Sequence, residues 1–179
     1  MNNTYNIKTK TWVDVISLAQ AKLYLRVDYD DDDTLISSLI KSAVYSAEKF
    51  MNRDILTTVW ENYRDTVNLQ DMTLRRGGFI SLSQFQYLSD GSYVTIDADD
   101  YQVASKGIFG KIYTASVPSH DEHPEAIRIE FTTGFATVPE DIKTGLLSHI
   151  ASMYENRGDC PDIPACAMEL YKGYKIVEI

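Results

Sequence analysis

One segment limits the fold of this chain more than any other: an unbroken amphipathic run from about Thr34 to Asn52. Leu35, Ile36, Leu39, Ile40, Ala43, Val44, Ala47, Phe50 and Met51 recur at the offsets of a single broad helical stripe. Lys41, Ser42, Glu48 and Lys49 supply the opposite face. The resulting helix is roughly 28 Å long. Each large side chain it buries contributes about 1.5–3 kcal/mol, so the helix requires a partner surface and does not stand alone.

The partner surfaces lie at the two ends of the chain. Ser17-Leu18-Ala19-Gln20 has capping-box spacing and opens a short helix through Ala21, Leu23, Tyr24 and Leu25 that ends near Val27. After Thr137-Val138-Pro139-Glu140, where Thr and Glu again stand at capping-box spacing, Ile142, Leu146, Leu147, Ile150, Met153 and Tyr154 form another stripe, with Arg157-Gly158 as its stop. A last short segment follows Pro161-Asp162-Ile163-Pro164.

Between these helices the period changes. Thr57 to Trp60 with Tyr63 and Val67, Phe79 to Leu82, Phe85 to Leu88, Tyr93 to Ile96, Tyr101 to Val103, Ile108 to Tyr113 and Ala126 to Phe131 are rich in β-branched and aromatic residues. Gly77-Gly78 marks a turn, and Asp90-Gly91 marks a hairpin. The prediction is an α+β fold in which helices from both ends pack as a bundle, with an antiparallel sheet module inserted between them in sequence. Residues 15–55 carry the N-terminal helices, 56–135 the β module, and 136–179 the C-terminal helices and tail, all within one domain.

Composition narrows the function. A hydrophobic content of 44% is enough for a core, and no apolar run approaches the roughly 20 residues of a membrane span. Met1 to Lys10 is polar and lacks the apolar stretch of a signal peptide. A soluble protein that stays in the compartment where it is made is expected. The net charge of -9 argues against gripping nucleic acid by its phosphates, while leaving room for a polyanion to pass an acidic wall.

No catalytic or metal-binding constellation emerges. Asp28 and the run Asp30, Asp31, Asp32, Asp33 lack the Gly and Glu that a calcium loop needs; helix capping accounts for one or two of them, and the surplus reads as an exposed turn, a candidate to face a channel. Cys160 and Cys166 have no zinc spacing and read as reduced, part-buried thiols. His120 and His123 flank carboxylates in a solvated loop, and His149 reads as a packing or helix-surface residue. No nucleophile, base and orienter assemble, so no enzyme and no cofactor are expected. The twelve Tyr residues suit packing and protein interfaces alike.

The order of elements resembles the phage head–tail connector family. Leu18-Ala19-Gln20-Ala21-Lys22-Leu23-Tyr24-Leu25-Arg26-Val27-Asp28 is similar to that family's opening motif, and Leu35-Ile36-Ser37-Ser38-Leu39-Ile40-Lys41-Ser42-Ala43 to the helix that follows it. Ile127 to Phe131, Thr133-Gly134-Phe135, Val138 to Lys143, Met153 to Arg157 and Ile163-Pro164-Ala165 continue the likeness, which covers roughly residues 15–175. The chain departs from it where Lys175, not Arg, follows Tyr174, and in carrying the longer form with a β insertion.

The resemblance implies a structural virion protein assembled in the bacterial host cytoplasm and sited in the virion neck. It implies a homo-oligomeric ring of about twelve copies beneath the portal, formed on its template from a subunit that is monomeric in isolation. Tail or head-closure proteins would attach below, and DNA would pass through without specific binding. By the same analogy Tyr171, Lys172, Tyr174 and Lys175 dock to the portal, while Leu35, Leu39, Ile40, Leu146, Ile150 and Tyr154 form the core and part of the subunit interface. Two other classes fit the sequence: a tail-completion or tail-terminator protein, which would bind tail tube, and a small ligand-binding domain, which needs a pocket with converging polar groups.

Overall fold

A computed structural model describes residues 3–66, 72–156 and 162–177. The expectations at Val67, Arg157, Gly158, Cys160 and Pro161 lie outside the described residues. The chain divides into two compact units, one made of Met1–Trp12 with Leu56–Ala136 and the other of Val13–Ile55 with Thr137–Ile179. The α+β class expected from the sequence is the observed one.

The first unit is built of strands, with one 3-10 turn at Ala98–Asp100: β1 (Asn3–Lys10), β2 (Thr58–Arg64), β3 (Thr73–Leu74), β4 (Phe79–Ser89), β5 (Ser92–Thr95), β6 (Tyr101–Ala104), β7 (Gly110–Thr114) and β8 (Ile127–Thr133). Where one sheet was expected there are two antiparallel sheets, a five-stranded one ordered β1-β2-β8-β4-β5 and a three-stranded one ordered β3-β7-β6. Strict alternation along β2 and β8 sends Trp60, Ile127, Ile129 and Phe131 inward. There they join Leu74 and Ile112 of the smaller sheet and Phe79 and Phe85 of β4 in one core.

Two differences from the sequence reading have simple causes. Phe79 to Leu82 and Phe85 to Leu88 belong to one strand, because the register against β8 shifts between Phe79 and Ser81 and again between Leu82 and Gln84. Such bulges break the two-residue period and make a single strand look like two. The N-terminal segment, to which the sequence reading gave no element, is edge strand β1, paired with β2 from Asn3↔Arg64 to Lys10↔Thr58. An edge strand with one free side gains little from apolar residues and stays polar. Tyr5 anchors it to the core, its ring meeting Phe131 edge-on at 6.3 Å. The expected hairpin is present: Ser89 pairs with Ser92, and Asp90 and Gly91 take φ of 50° and 73°, the double positive φ of a type I′ turn.

The second unit is helical: α1 (Leu18–Leu25), α2 (Asp33–Met51), α3 (Glu140–Glu155) and α4 (Ala165–Lys172). Ser17 and Gln20 form the expected capping box, with Gln20 N–H donating to Ser17 Oγ at 3.2 Å and Ser17 N–H to Gln20 Oε1 at 2.9 Å. Arg26 then leaves the helix at φ 58°. Ile36, Ile40, Ala43, Val44, Ala47 and Met51 bury the α2 stripe. Glu48, expected on the polar face, is buried instead, and its Oε1 accepts the Ile55 backbone N–H at 2.8 Å. A carboxylate near a helix C-terminus is tolerated there because it caps the chain's exit from the helix.

At α3 the Thr137–Glu140 capping box does not form. Pro139 occupies the N-cap position with extended backbone, and no side chain caps the helix. Ile142, Leu146 and Ile150 are buried. Gly145 opens a slot for Tyr171 of α4: a Cβ there would stand 2.6 Å from Tyr171 Cε1. After α4 the tail folds back onto this unit, where Ile176 N–H donates to the Met51 carbonyl at 2.8 Å.

Candidate functional site

The tail residues expected at a docking surface separate by burial. Tyr171 is fully buried between Gly145 and the ring of Phe50, 6.3 Å away. Burial pushes its phenol pKa well above the ordinary range, and a side chain with no accessible surface cannot meet a partner in this conformation. Lys172, Tyr174 and Lys175 remain on the surface side. Lys172 pairs with Glu169 one helical turn away. The Tyr174 hydroxyl donates to Asp141 Oδ2 at 3.4 Å, and Lys175 Nζ sits 4.6 Å from the centre of the Phe50 ring.

The acidic turn does more than cap a helix. Asp32 stands at the N-cap of α2 without a side-chain cap bond. Its carboxylate accepts from Tyr154 Oη at 2.5 Å and from Tyr29 Oη at 3.2 Å, tying the turn to α3. Lys22 Nζ bridges Asp30 and Asp33, each at 2.7 Å. Hydrogen bonding to Lys22 lowers the Asp30 pKa, and the same bonds raise that of Lys22. Asp28, Asp30 and Asp31 are exposed, whereas Asp32 and Asp33 are half-buried. Part of the run is therefore local structure, and part is free acidic surface.

The expected core and interface set also divides. Ile40, Leu146 and Ile150 are interior, so they hold the unit together and present nothing to a neighbour. Leu35, Leu39 and Tyr154 are half-buried. Tyr154 lines a groove of about 960 Å³ between α1 and α3, together with Gln20, Leu23, Tyr24, Leu25, Arg26, Leu147, Ala151 and Glu155. Leu23 is 81% exposed and Tyr24 49% exposed at this groove. The sequence reading placed both on α1 but not on a surface. The available signal is that Leu18, Ala21, Lys22 and Leu25 already complete one inward stripe, so Leu23 and Tyr24 fall on a second apolar face.

The histidines separate as well. In the loop, His120 Nδ1 lies 3.1 Å from the Asp121 carbonyl, and His123 Nδ1 accepts from the Glu125 backbone N–H. His149 is buried in the helical unit. Cys166, expected to be part-buried, is an exposed thiol 2.9 Å from Ser148 Oγ. Among the described residues no group of three or more His, Cys, Asp or Glu is arranged to hold a metal, and no helix is long and apolar enough to cross a membrane.

The family model described as head completion protein matches residues 14–150. No curated protein matches the chain. Solved chains share the fold, three of them as follows. One, from the neck of an empty gene transfer agent (GTA) particle computed with C6 symmetry, has a TM-score of 0.80 at 18% identity and covers 98% of this chain and 97% of its own. A chain from the virion of a native particle gives 0.76 at 18% identity, covering 98% and 96%. A third, from the native neck computed with C12 symmetry, gives 0.71 at 17% identity, covering 97% of each.

Proposed function

Because the chain belongs to the head completion protein family, we propose that it is a structural head–tail connector whose copies close into a ring beneath the portal. The ring extends the DNA channel and presents the attachment surface for tail or head-closure proteins. It assembles in the bacterial host cytoplasm and resides in the virion neck. Its role is structural, with no reaction to catalyse.

The observation that carries this reading is the open apolar face of α1, where Leu23 and Tyr24 stand at the mouth of the α1–α3 groove. Isolated exposed Leu residues are ordinary, but an apolar pair rimmed by Gln20, Arg26 and Glu155 has the make-up of an interface. A head-to-tail contact covers such a face with a different patch of the next copy, and repetition of that contact closes a ring; about twelve copies match a portal. The C6 and C12 neck reconstructions that hold similar folds support a ring. The net charge of -9 and the exposed Asp28, Asp30 and Asp31 suit a conduit wall that repels phosphates.

The tail from Ile163 to Ile176 docks to the portal through Lys172, Tyr174 and Lys175. The test is portal binding by Lys172→Glu/Lys175→Glu, checked for native circular dichroism. Weakened binding by a folded double variant is expected. Undiminished binding would remove the tail from the docking surface and leave the apolar face of α1 to carry the assembly.

A further inference from the structure

Helices α1, α2 and α3 each contact the other two, so in cross-section they stand as the corners of a triangle. The α1–α3 groove is lined by α1 and α3 alone, which puts it on the side facing away from α2. The opposite corner carries a patch of its own. Thr34, Ser38, Lys41, Ser42, Tyr45 and Lys49 are the exposed residues of α2, and their spacing of three and four sets them on one face. Tyr45 stands 53% exposed in the middle of that face.

The two surfaces also differ in charge. The α2 face carries Lys41 and Lys49 and no exposed acid, because Glu48 is buried and Asp33 half-buried. The groove ends in acid. Glu155 lines it, and the acidic turn is tied to its wall where Tyr154 Oη meets Asp32 Oδ2 at 2.5 Å and Tyr29 Oη at 3.1 Å. Asp28, Asp30 and Asp31 are exposed on that turn. Against them stand Arg26 and a Lys22 whose ammonium group is already held by Asp30 and Asp33. The groove side is therefore net negative and the α2 face net positive.

We infer that the groove of one copy receives the α2 face of the next, with Tyr45 seated against Leu23 and Tyr24 and with Lys41 and Lys49 meeting Asp31 and Glu155. The inference deepens the ring reading above by naming the partner of that groove, and rests on it for closure beneath the portal. Apolar area alone would let two grooves meet, but that pairing sets one net-negative surface against another, whereas groove against α2 face joins opposite charges. A contact between opposite sides of one subunit is heterologous: it repeats from copy to copy and closes a ring where the rotation permits. Asp31 then stands at the seam between copies, and Asp28 and Asp30 remain for the conduit wall.

The experiment replaces Tyr45 with the photoreactive p-benzoylphenylalanine in the full chain, which is irradiated alone at high concentration and again mixed with the portal. Tyr45 and the groove lie on opposite sides of the unit, so a link between them joins two copies and shows as a dimer by mass. Linked peptides carrying Leu23, Tyr24, Leu147 or Ala151 are expected. Lys41→Glu/Lys49→Glu in the same background should keep its melting temperature and lose most of the dimer, and adding Asp31→Lys/Glu155→Lys should restore it. Links only to another copy's α2, links only to the portal, or no groove link in either sample would overturn the inference. Groove links in a protein that adds no ring to the portal would leave this contact standing and remove the connector reading. A ring on the portal without groove links would do the reverse.

Discussion

The sheet unit and the helical unit solve the same burial problem to different degrees. In the sheet unit the inward faces of β2, β4 and β8 meet Leu74 and Ile112 in a single core, and the outward face is internally paired. Glu61 lies directly opposite Glu130 across β2 and β8, an arrangement of like charges that alone would destabilise the sheet. Arg128 bridges to Glu61 at 2.5 Å, and Lys8 of the edge strand pairs with Glu130, so the clash becomes a four-membered ion network. The helical unit buries α2 and α3 as fully, yet leaves Leu23 81% exposed beside an open groove. Both units leave apolar side chains exposed, Ile7, Ile80, Val94, Ile108 and Tyr113 in the sheet unit among them; the contrast is that the helical unit gathers Leu23 and Tyr24 at one groove.

Breaking the core of the sheet unit should have the largest effect. Phe131→Ala removes a fully buried ring that Tyr5 and Phe79 both contact and should cost about 3–5 kcal/mol, read as a fall in the denaturation midpoint. Gly145→Ala does comparable but smaller damage in the helical unit. Its methyl would press on the enclosed Tyr171 ring at 2.6 Å and should cost about 1–3 kcal/mol as overpacking.

Acid should weaken the helical unit through His149. Its folded pKa lies below the ordinary 6.5, so the unfolded chain binds more protons once the pH drops below that value. The stabilisation from the neutral ring is complete above pH 6.5 and declines on acidification until the folded pKa is reached, with a slope of up to about 1.4 kcal/mol per pH unit. His149→Gln should remove that component from a stability–pH profile. The smallest effect on folding is expected for Leu23→Glu, within about 0.5 kcal/mol, although it should abolish addition of further copies in an assembly measured by mass. A large loss of stability would mean that Leu23 belongs to the core and that the contrast between the units is mistaken.

The helical elements were legible because their signals are local. The Ser17–Gln20 capping box and the α2 stripe need only a few neighbouring residues to be recognised, and both are observed. The Asp90-Gly91 hairpin is equally local. What escaped depends on distant partners. Edge strand β1 is defined by a pairing with β2 that runs from Asn3↔Arg64 to Lys10↔Thr58, far off in sequence, and its polar composition carries no trace of that pairing. The separation into two sheets follows from which strands pair, a matter on which each strand's own pattern is silent. Among the candidate site residues, Tyr171 was placed on a docking surface by the family resemblance, and nothing local in the sequence shows the slot at Gly145 that buries it. Leu23 and Tyr24 were visible as helix residues, but their outward direction depends on which stripe α2 and α3 cover.

The most direct test of the central claim is electron microscopy of the protein mixed with the portal encoded beside it, with the mass of the protein alone as control. The account predicts a closed ring of added density at the narrow end of the portal, lost with Leu23→Glu. An intact portal without added density would contradict it and point to a tail-side completion protein.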